Sequence, residues 1–286
     1  MTGALPVDKP AGPTSHDAVA AARRALGIRR IGHTGTLDPF ATGLLILCVG
    51  PATRLAEYLT GLDKRYDATA RLGIATDTLD RTGAVVSETE TWRGLEPGAV
   101  RAAFEDQQGP LRQVPPAYSA KKLRGRKAYE LAREGKAVEP APVDVVIHEL
   151  EVLDVTGPEV RFRMRCSSGT YVRAVARDAG AALGVGAHLT ALRRTHVGRF
   201  RVDDAVPLDR LDDPAAVEAA LLSPLDAVAH LPRVSLDPDR IHRVCHGQTI
   251  PADGTGSGVV ALAAGDELVA VAESDGRTIR PRKVFA

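Results

Sequence analysis

Residues 143–167 constrain this chain most. Two β runs, VDVVIHELEVLDV and EVRFRMRCS, are joined only by the turn TGPE, an arrangement that suits an antiparallel sheet. KRYDATARLGIA alternates as a strand does, with Tyr66, Ala68, Ala70 and Leu72 on one face. Ala4–Val7 and LLILCVG read as short buried strands and HLTALRRTHVGRF as another, whereas RIGHTGT is Gly-rich and fits a strand edge leading to a loop. Helical signals stand between them. TSHDAVAAARRALG is amphipathic, capped by Thr14 or Ser15, favoured by Asp17 in its first turn and ended by Gly27. ATRLAEYLTGL reads as a helix, and PGAVRAAFEDQQG as one opened by proline and closed by glycine. SSGTYVRAVARDAGAALG reads as a strand-to-helix junction, and residues 76–91 as a polar connection.

Beyond about residue 230 the chain changes character, to a short helix, a Gly-rich loop and the strands VVALAA, ELVAVAES and RTIRPRKVF. The expected division is therefore a large domain, 1–230, and a small one, 231–286. No apolar run is long enough to span a membrane, and the first residues lack a basic segment followed by an apolar core. The three cysteines, Cys48, Cys166 and Cys245, are odd in number and far apart. They form neither a disulfide framework nor a CxxC zinc site, which points to the cytoplasm.

A net charge of +1 argues alone against a polyanion partner, but the charge is segregated. Residues 203–226 hold seven acidic residues against Arg210, a local charge of −6, so the remainder carries +7. Its bases cluster in KKLRGRK (121–127), RFRMR (161–165), RRTHVGRFR (193–201) and RTIRPRK (277–283), and four such clusters point to a polyanion. The basic, Pro-broken stretch 113–136 reads as a long surface excursion, a kind of loop that is usually functional or disordered.

Several chemistries find no support. DGTGSG lacks the P-loop lysine and does not match a dinucleotide fingerprint. His242 and His246 lie four apart without the further ligands a metal needs, and no GxSxG elbow occurs. What remains is Asp38, His33, Tyr66 and Arg173, from three separate segments. Asp38 precedes Pro39 in IGHTGTLDPFATGLL. Read alone, Asp-Pro there suits a helix N-cap with proline at the first helical position, and Phe40 to Leu45 could start a helix or lead into a strand. The other reading sets Asp38 on a short turn, open to a substrate.

The blocks DKPAGPTSHD, GHTGTLDPFATGLL, DKRYDATARLG, VPPAYSAKKLRGRKAYELAREG, CSSGTYVRAVARDAG and HLTALRRTHVGRF resemble, in order and spacing, those of the TruB family of tRNA pseudouridine synthases. The resemblance runs from residue 5 to about 202. It implies Asp38 as the catalytic carboxylate, with Arg173 as the cation that keeps it charged and oriented. It implies that Tyr66 stacks on the uracil and assists the late removal of a proton from C5. It also implies that His33 helps extrude the target base and that Tyr171 and Leu192 line the uridine pocket. The stretch 113–136, with Lys121, Lys122, Arg124 and Arg126, matches an insertion that grips the tRNA T loop, and the tail stands where relatives carry a PUA module. Gly32, Gly35 and Gly43 are expected to let RNA approach closely.

The expected fold is thus α+β, with a mixed, mostly antiparallel sheet, flanking helices and a small C-terminal β-rich, PUA-like domain. The expected function is isomerisation of uridine to pseudouridine at tRNA position 55, by a monomer without cofactor, metal or protein partner. A synthase acting on another RNA and a tRNA-folding chaperone independent of catalysis are the alternatives.

Overall fold

The computed structural model describes residues 1–118 and 140–285, and the backbone of 122–123 and 126–127. The first 230 residues supply strands β1 (Gly3–Lys9), β2 (Ile31–His33), β3 (Thr42–Val49), β4 (Lys64–Leu72), β5 (Ile74–Thr76), β6 (Val85–Glu88) and β7 (Gly109–Gln113). They continue with β8 (Lys122–Leu123), β9 (Arg126–Lys127), β10 (Val143–Thr156), β11 (Glu159–Cys166), β12 (Ala187–Val197), β13 (Phe200–Arg201) and β14 (Val206–Pro207). The helices are α1 (Ser15–Leu26), α2 (Ala56–Thr60), α3 (Pro97–Glu105), α4 (Val172–Ala182), α5 (Pro214–Ala220) and α6 (Pro224–Ala227).

Among the described residues the main sheet runs β14-β1-β3-β12-β4-β11-β10-β7, with β2 added to β3 and β13 to β12. Within this sheet, among the described residues, only β1–β14 and β3–β12 pair in parallel. The fold is α+β with a mixed, mostly antiparallel sheet, as expected. The hairpin β10–β11 forms across Gly157, which takes the left-handed φ of +57° that the turn requires. β4 lies between β11 and β12, and its alternation buries Tyr66, Ala68, Ala70 and Leu72 on one face. Against that face pack α1, α3 and α4, through Ala18, Val19 and Ala22, Val100 and Phe104, and Val172, Val175 and Ala179.

LLILCV is apolar without interruption because β3 is covered on both sides. Leu45, Leu47 and Val49 join the core under α1. Leu44, Ile46 and Cys48 point the other way, into a second core with Leu55, Leu59, Val197, Phe200 and Leu225. That core also takes in Ala261, Ala263, Leu268 and Val271, which belong to a separate five-stranded sheet. Its strands are β15 (Arg233–Ser235), β16 (Ile250–Pro251), β17 (Ser257–Ala264), β18 (Glu267–Asp275) and β19 (Thr278–Val284), with helix α7 (Pro238–Cys245) between the first two.

Asp38 stands on a short turn, and three local expectations are corrected. No helix follows Asp38: the Ala41 N–H donates to the Asp38 carbonyl at 3.1 Å, so Asp-Pro opens a turn that leads into β3. Proline's fixed φ suits the second position of a turn as well as a helix start, and the hydrophobic run beyond belongs to the sheet. Helix α3 ends at Glu105, and Gly109, at φ +112°, opens β7 rather than capping the helix. Helix α2 covers only the second half of its expected span, since Gly50–Leu55 is a 3-10 turn. Gly43 is needed by the protein's own packing: a Cβ there would lie 2.3 Å from the Arg194 carbonyl oxygen, and its φ is +102°. Gly32, by contrast, has nothing within 4 Å of where a Cβ would stand.

The basic clusters are also less available than their sequence implies. Arg163 pairs with Asp67, Arg165 with Asp63 and Glu149, Arg193 with Asp8, Arg201 with Asp203, Arg282 with Glu273 and Lys283 with Glu57. Among the described residues no helix is long and apolar enough to cross a membrane.

Replacing Gly43 by alanine is expected to destabilise the fold by more than about 1 kcal/mol, because an L-residue resists positive φ and the Cβ meets backbone. A lower urea midpoint at unchanged m-value is the expected reading, and an unchanged midpoint would contradict the close approach of the two backbones.

Candidate active site

The segment Thr34–Pro39 is pinned from four directions. Ser15, at the start of α1, accepts from Leu37 N–H at 2.8 Å and donates back to the Leu37 carbonyl at 3.2 Å. Thr14 is thereby the helix cap, in a capping box with Asp17. Gly12 N–H donates to the Pro39 carbonyl at 2.8 Å. Lys9, fully buried, gathers the carbonyls of Pro10 and Pro13 at 2.8 Å and that of Pro39 at 3.5 Å. From β12, Arg194 donates to the carbonyls of Leu44, Thr36 and Gly35 at 2.7, 3.3 and 3.1 Å. A glycine-rich loop held by so many bonds is a rigid mount for the carboxylate at its end.

That carboxylate meets Arg173 on both oxygens. The Arg173 Nε lies 2.9 Å from Asp38 Oδ2 and a terminal nitrogen donates to Oδ1 at 3.1 Å, the fork geometry that fixes a carboxylate's plane. Arg173 is only 4% exposed. Its remaining donors reach the carbonyls of Thr78 at 2.7 Å and Tyr118 at 2.9 Å, and a second carboxylate, Asp80, lies 3.5 Å away. Asp80 is oriented in turn by Thr78 Oγ1 and by the N–H and hydroxyl of Thr82. The turn that brings Thr78 and Asp80 to Arg173 runs through Leu79 at φ +63°, a left-handed conformation uncommon for such a residue. The backbone of Tyr171, at the start of α4, is clamped by the buried Gln113 amide, which donates to its carbonyl and accepts from its N–H.

Asp38, Tyr66, Tyr171, Arg173 and Leu192 together line one cavity of about 260 Å³, with Lys64, Arg194, Thr34–Leu37 and residues 167–170. Five of the residues expected at the site are thus brought together. His33 does not line the cavity. It lies at the end of β2, edge-on to His16 with ring centres 5.4 Å apart, one residue before the cavity wall begins. Lys121 and Arg124 lie outside the described residues, and of Lys122 and Arg126 only the backbone is described, in the hairpin β8–β9. Among the described residues no group of acidic, histidine and cysteine side chains could hold a metal ion.

Sequence reasoning misses Lys9, Lys64, Asp80 and Arg194. Arg194 falls within an arginine cluster that reads as an outward surface, yet it is 2% exposed. The available signal is its register: it stands opposite Tyr66, as Leu192 stands opposite Ala68. Burial pushes the Asp38 carboxyl above its ordinary range, Arg173 opposes that shift most, and Asp80 adds to it. Burial likewise raises the Tyr66 phenol, with Arg194 pulling it down. Burial lowers the Lys9 and Lys64 ammonium groups to about 8 each.

Two family models match the chain: TruB family pseudouridylate synthase (N terminal domain) over residues 23–172, and tRNA pseudouridylate synthase B C-terminal domain over residues 173–229. The chain belongs to the TruB family of pseudouridylate synthases. Among TruB relatives, the tRNA pseudouridine synthase B of Aromatoleum aromaticum is 45% identical, with 100% of this chain and 93% of the relative covered. That of Thermobifida fusca is 46% identical, with 99% and 98% covered. A solved chain from an H/ACA RNP bound to a substrate RNA containing 2′-deoxyuridine is similar with a TM-score of 0.77 at 26% identity, covering 100% of this chain and 85% of that one. A chain of a Cbf5-Nop10-Gar1 complex gives 0.77 at 28% identity, with the same coverage.

The charges around Asp38 set an order for its titration. Arg173 lowers the carboxyl and Asp80 raises it, so Arg173→Met is expected to move it further up and Asp80→Asn to move it down. Carbon-13 NMR of labelled aspartate in the three proteins checks this, and an inverted order would contradict the placement of these charges around Asp38.

Proposed function

We propose that this TruB-family chain isomerises uridine to pseudouridine in tRNA, at position 55 of the T loop, with Asp38 as the catalytic carboxylate. The observation that carries the reading is the Asp38 carboxylate, held on both oxygens by a buried arginine in the wall of a nucleoside-sized cavity. The tRNA substrate is supported by the full-length relatives, at 45–46% identity, that carry the tRNA name. The RNP chains stand at 26–28%.

The reaction cuts the bond from N1 to C1′, turns the base and rejoins it through C5. It is an isomerisation, so it consumes no electron acceptor and no group donor. A base inside a folded RNA loop must first be extruded, which costs a few kcal/mol, and the cavity offers it the Tyr66 ring and Leu192. Stacking on an aromatic ring contributes roughly 1–3 kcal/mol. Asp38 acts as nucleophile or base in its ionised form. Burial alone would leave it protonated too readily, and the Arg173 fork opposes this while aiming both oxygens. Arg173 has no donor left for an RNA phosphate, because carboxylates and carbonyls already occupy its guanidinium. Its role in this reading is to position Asp38. Tyr66 in its raised state is a poor base at neutral pH. Its help in removing the C5 proton therefore calls for an Arg194 that keeps its charge beside the phenol.

The proposal extends to the rim and the periphery. His33, just outside the cavity, enters the RNA helix position that the extruded base leaves. Residues 113–136 grip the T loop through Lys121, Lys122, Arg124 and Arg126. The five-stranded sheet from Arg233 onward is a PUA-like RNA-binding domain, with the boundary near residue 230, and the enzyme works as a cytoplasmic monomer.

Pure protein incubated with unmodified tRNA transcript is expected to form pseudouridine at position 55, mapped by carbodiimide sequencing. Asp38→Asn should form none while still binding tRNA. Pseudouridine formed by Asp38→Asn at the wild-type rate would sink the assignment of the carboxylate.

Neutralising Lys121, Lys122, Arg124 and Arg126 should weaken tRNA binding and flatten its salt dependence by about 0.7–0.9 in log–log slope for each phosphate no longer neutralised. The same slope in wild type and variant would exclude this stretch from RNA binding.

A further inference from the structure

Three cationic side chains line the cavity, and two of them are committed to the protein. Arg173 is held by Asp38, Asp80 and two carbonyls, and Arg194 by three carbonyls and its place beside Tyr66. Lys64 differs. It stands two residues before Tyr66 on β4, and residues two apart on a strand share a face. It is 6% exposed, and its Nζ donates to the carbonyls of Thr60 and Leu62, each at 2.6 Å. An ammonium has three donors, so one N–H has no acceptor among the described residues.

We propose that Lys64 donates this third hydrogen bond to a carbonyl oxygen of the extruded uracil and stabilises the negative charge that the base acquires during isomerisation. The inference rests on the cavity being the uridine site.

The chemistry places charge at the carbonyl oxygens by either route. When the C1′–N1 bond breaks, its electron pair leaves on the base, and the uracil anion shares the charge among N1, O2 and O4. If Asp38 instead adds at C6, the charge develops toward O4. Re-closure forms the C1′–C5 bond, and any bond from Asp38 to C1′ or C6 breaks to free the carboxylate. C5 loses its proton and N1 gains one, so no co-reactant is needed and Lys64 keeps its own proton throughout. A fixed donor in a poorly solvated site suits such charge, because it needs no reorganisation as the charge appears.

The charged and titratable groups around the Lys64 ammonium are Asp63 beside it in the chain, Cys166 on β11 and Arg194 on β12. Burial and Arg194 bring the ammonium down to about 8, so it is still charged at neutral pH. The Cys166 thiol, pushed up to about 11, stays neutral there. A lysine that only tied down the carbonyls after α2 would show its loss in stability and leave the chemical step intact.

The test is the single-turnover release of tritium from C5-labelled tRNA at saturating enzyme, with tRNA affinity and melting temperature measured alongside. Lys64→Met is expected to slow the step by about 10²-fold, the typical effect of removing one such donor, with affinity little changed. Should Lys64→Met fail to fold, Lys64→Cys in a Cys245→Ser chain decides instead, with alkylation at residue 64 verified by mass spectrometry. Lys64 lines the cavity, whereas Cys48 and Cys166 are buried and do not line it. Aminoethylation of that cysteine rebuilds a lysine-like amine and should restore most of the rate. A folded Lys64→Met at wild-type rate, or an aminoethylated enzyme as slow as before alkylation, overturns the inference. Asp38→Asn run in parallel separates the two levels. An active Asp38→Asn defeats the functional reading itself, whereas an inactive one beside a fully active Lys64→Met defeats only the role of Lys64.

Discussion

A guanidinium buried to 4% exposure must find acceptors for its donors, and at Arg173 that need organises much of the molecule. The residue lies in the first turn of α4, where the helix dipole disfavours a cation, so nothing local explains an arginine there. Its acceptors come from the Asp38 turn, the Thr78–Asp80 turn and the backbone at Tyr118. These segments are far apart in the chain and meet at this side chain. Removing one partner of a buried ion pair typically costs 3–5 kcal/mol. The bonds that hold the Asp38 carboxylate in place are therefore also bonds that hold three loops together.

What the sequence revealed followed the range of the interaction. Strand alternation in KRYDATARLG and the capping box at Thr14 and Asp17 are local, and both were legible. Asp38, Tyr66, Tyr171, Arg173 and Leu192 were gathered by resemblance to a family, and all five line one cavity. What stayed hidden depends on partners distant in sequence. Arg194 looks like its neighbours in an arginine-rich stretch until the sheet register sets it opposite Tyr66 and against the 34–38 loop. Lys9 gives no sign in sequence that it will be wholly enclosed by three proline carbonyls. The Asp-Pro pair fits a helix cap and a turn equally well, and only the demand of β3 for Thr42 onward decides between them.

Charge shows the same dependence. A count of arginines by segment suggests broad basic surfaces. In the folded chain Arg163, Arg165 and Arg193 meet acidic residues across strands of the sheet. Exposed pairs of this kind contribute about 0–1 kcal/mol each, so their larger effect is to lower the field a polyanion would feel. The cations that line the candidate site, Lys64, Arg173 and Arg194, are buried ones, fixed largely by carbonyls rather than by surface partners.

The pairing of β1 has a consequence for the order in which the chain is made. Gly3–Lys9 meets β3 once residue 49 exists, but its other edge waits for Val206, Pro207 and Leu222. At a synthesis rate of 5–20 residues per second, that edge stays open for about 10–40 s. An uncovered strand edge is a template for pairing with other chains. The nascent protein is thus vulnerable along this strand, which leads directly into the prolines on which, with Lys9, the Asp38 loop rests.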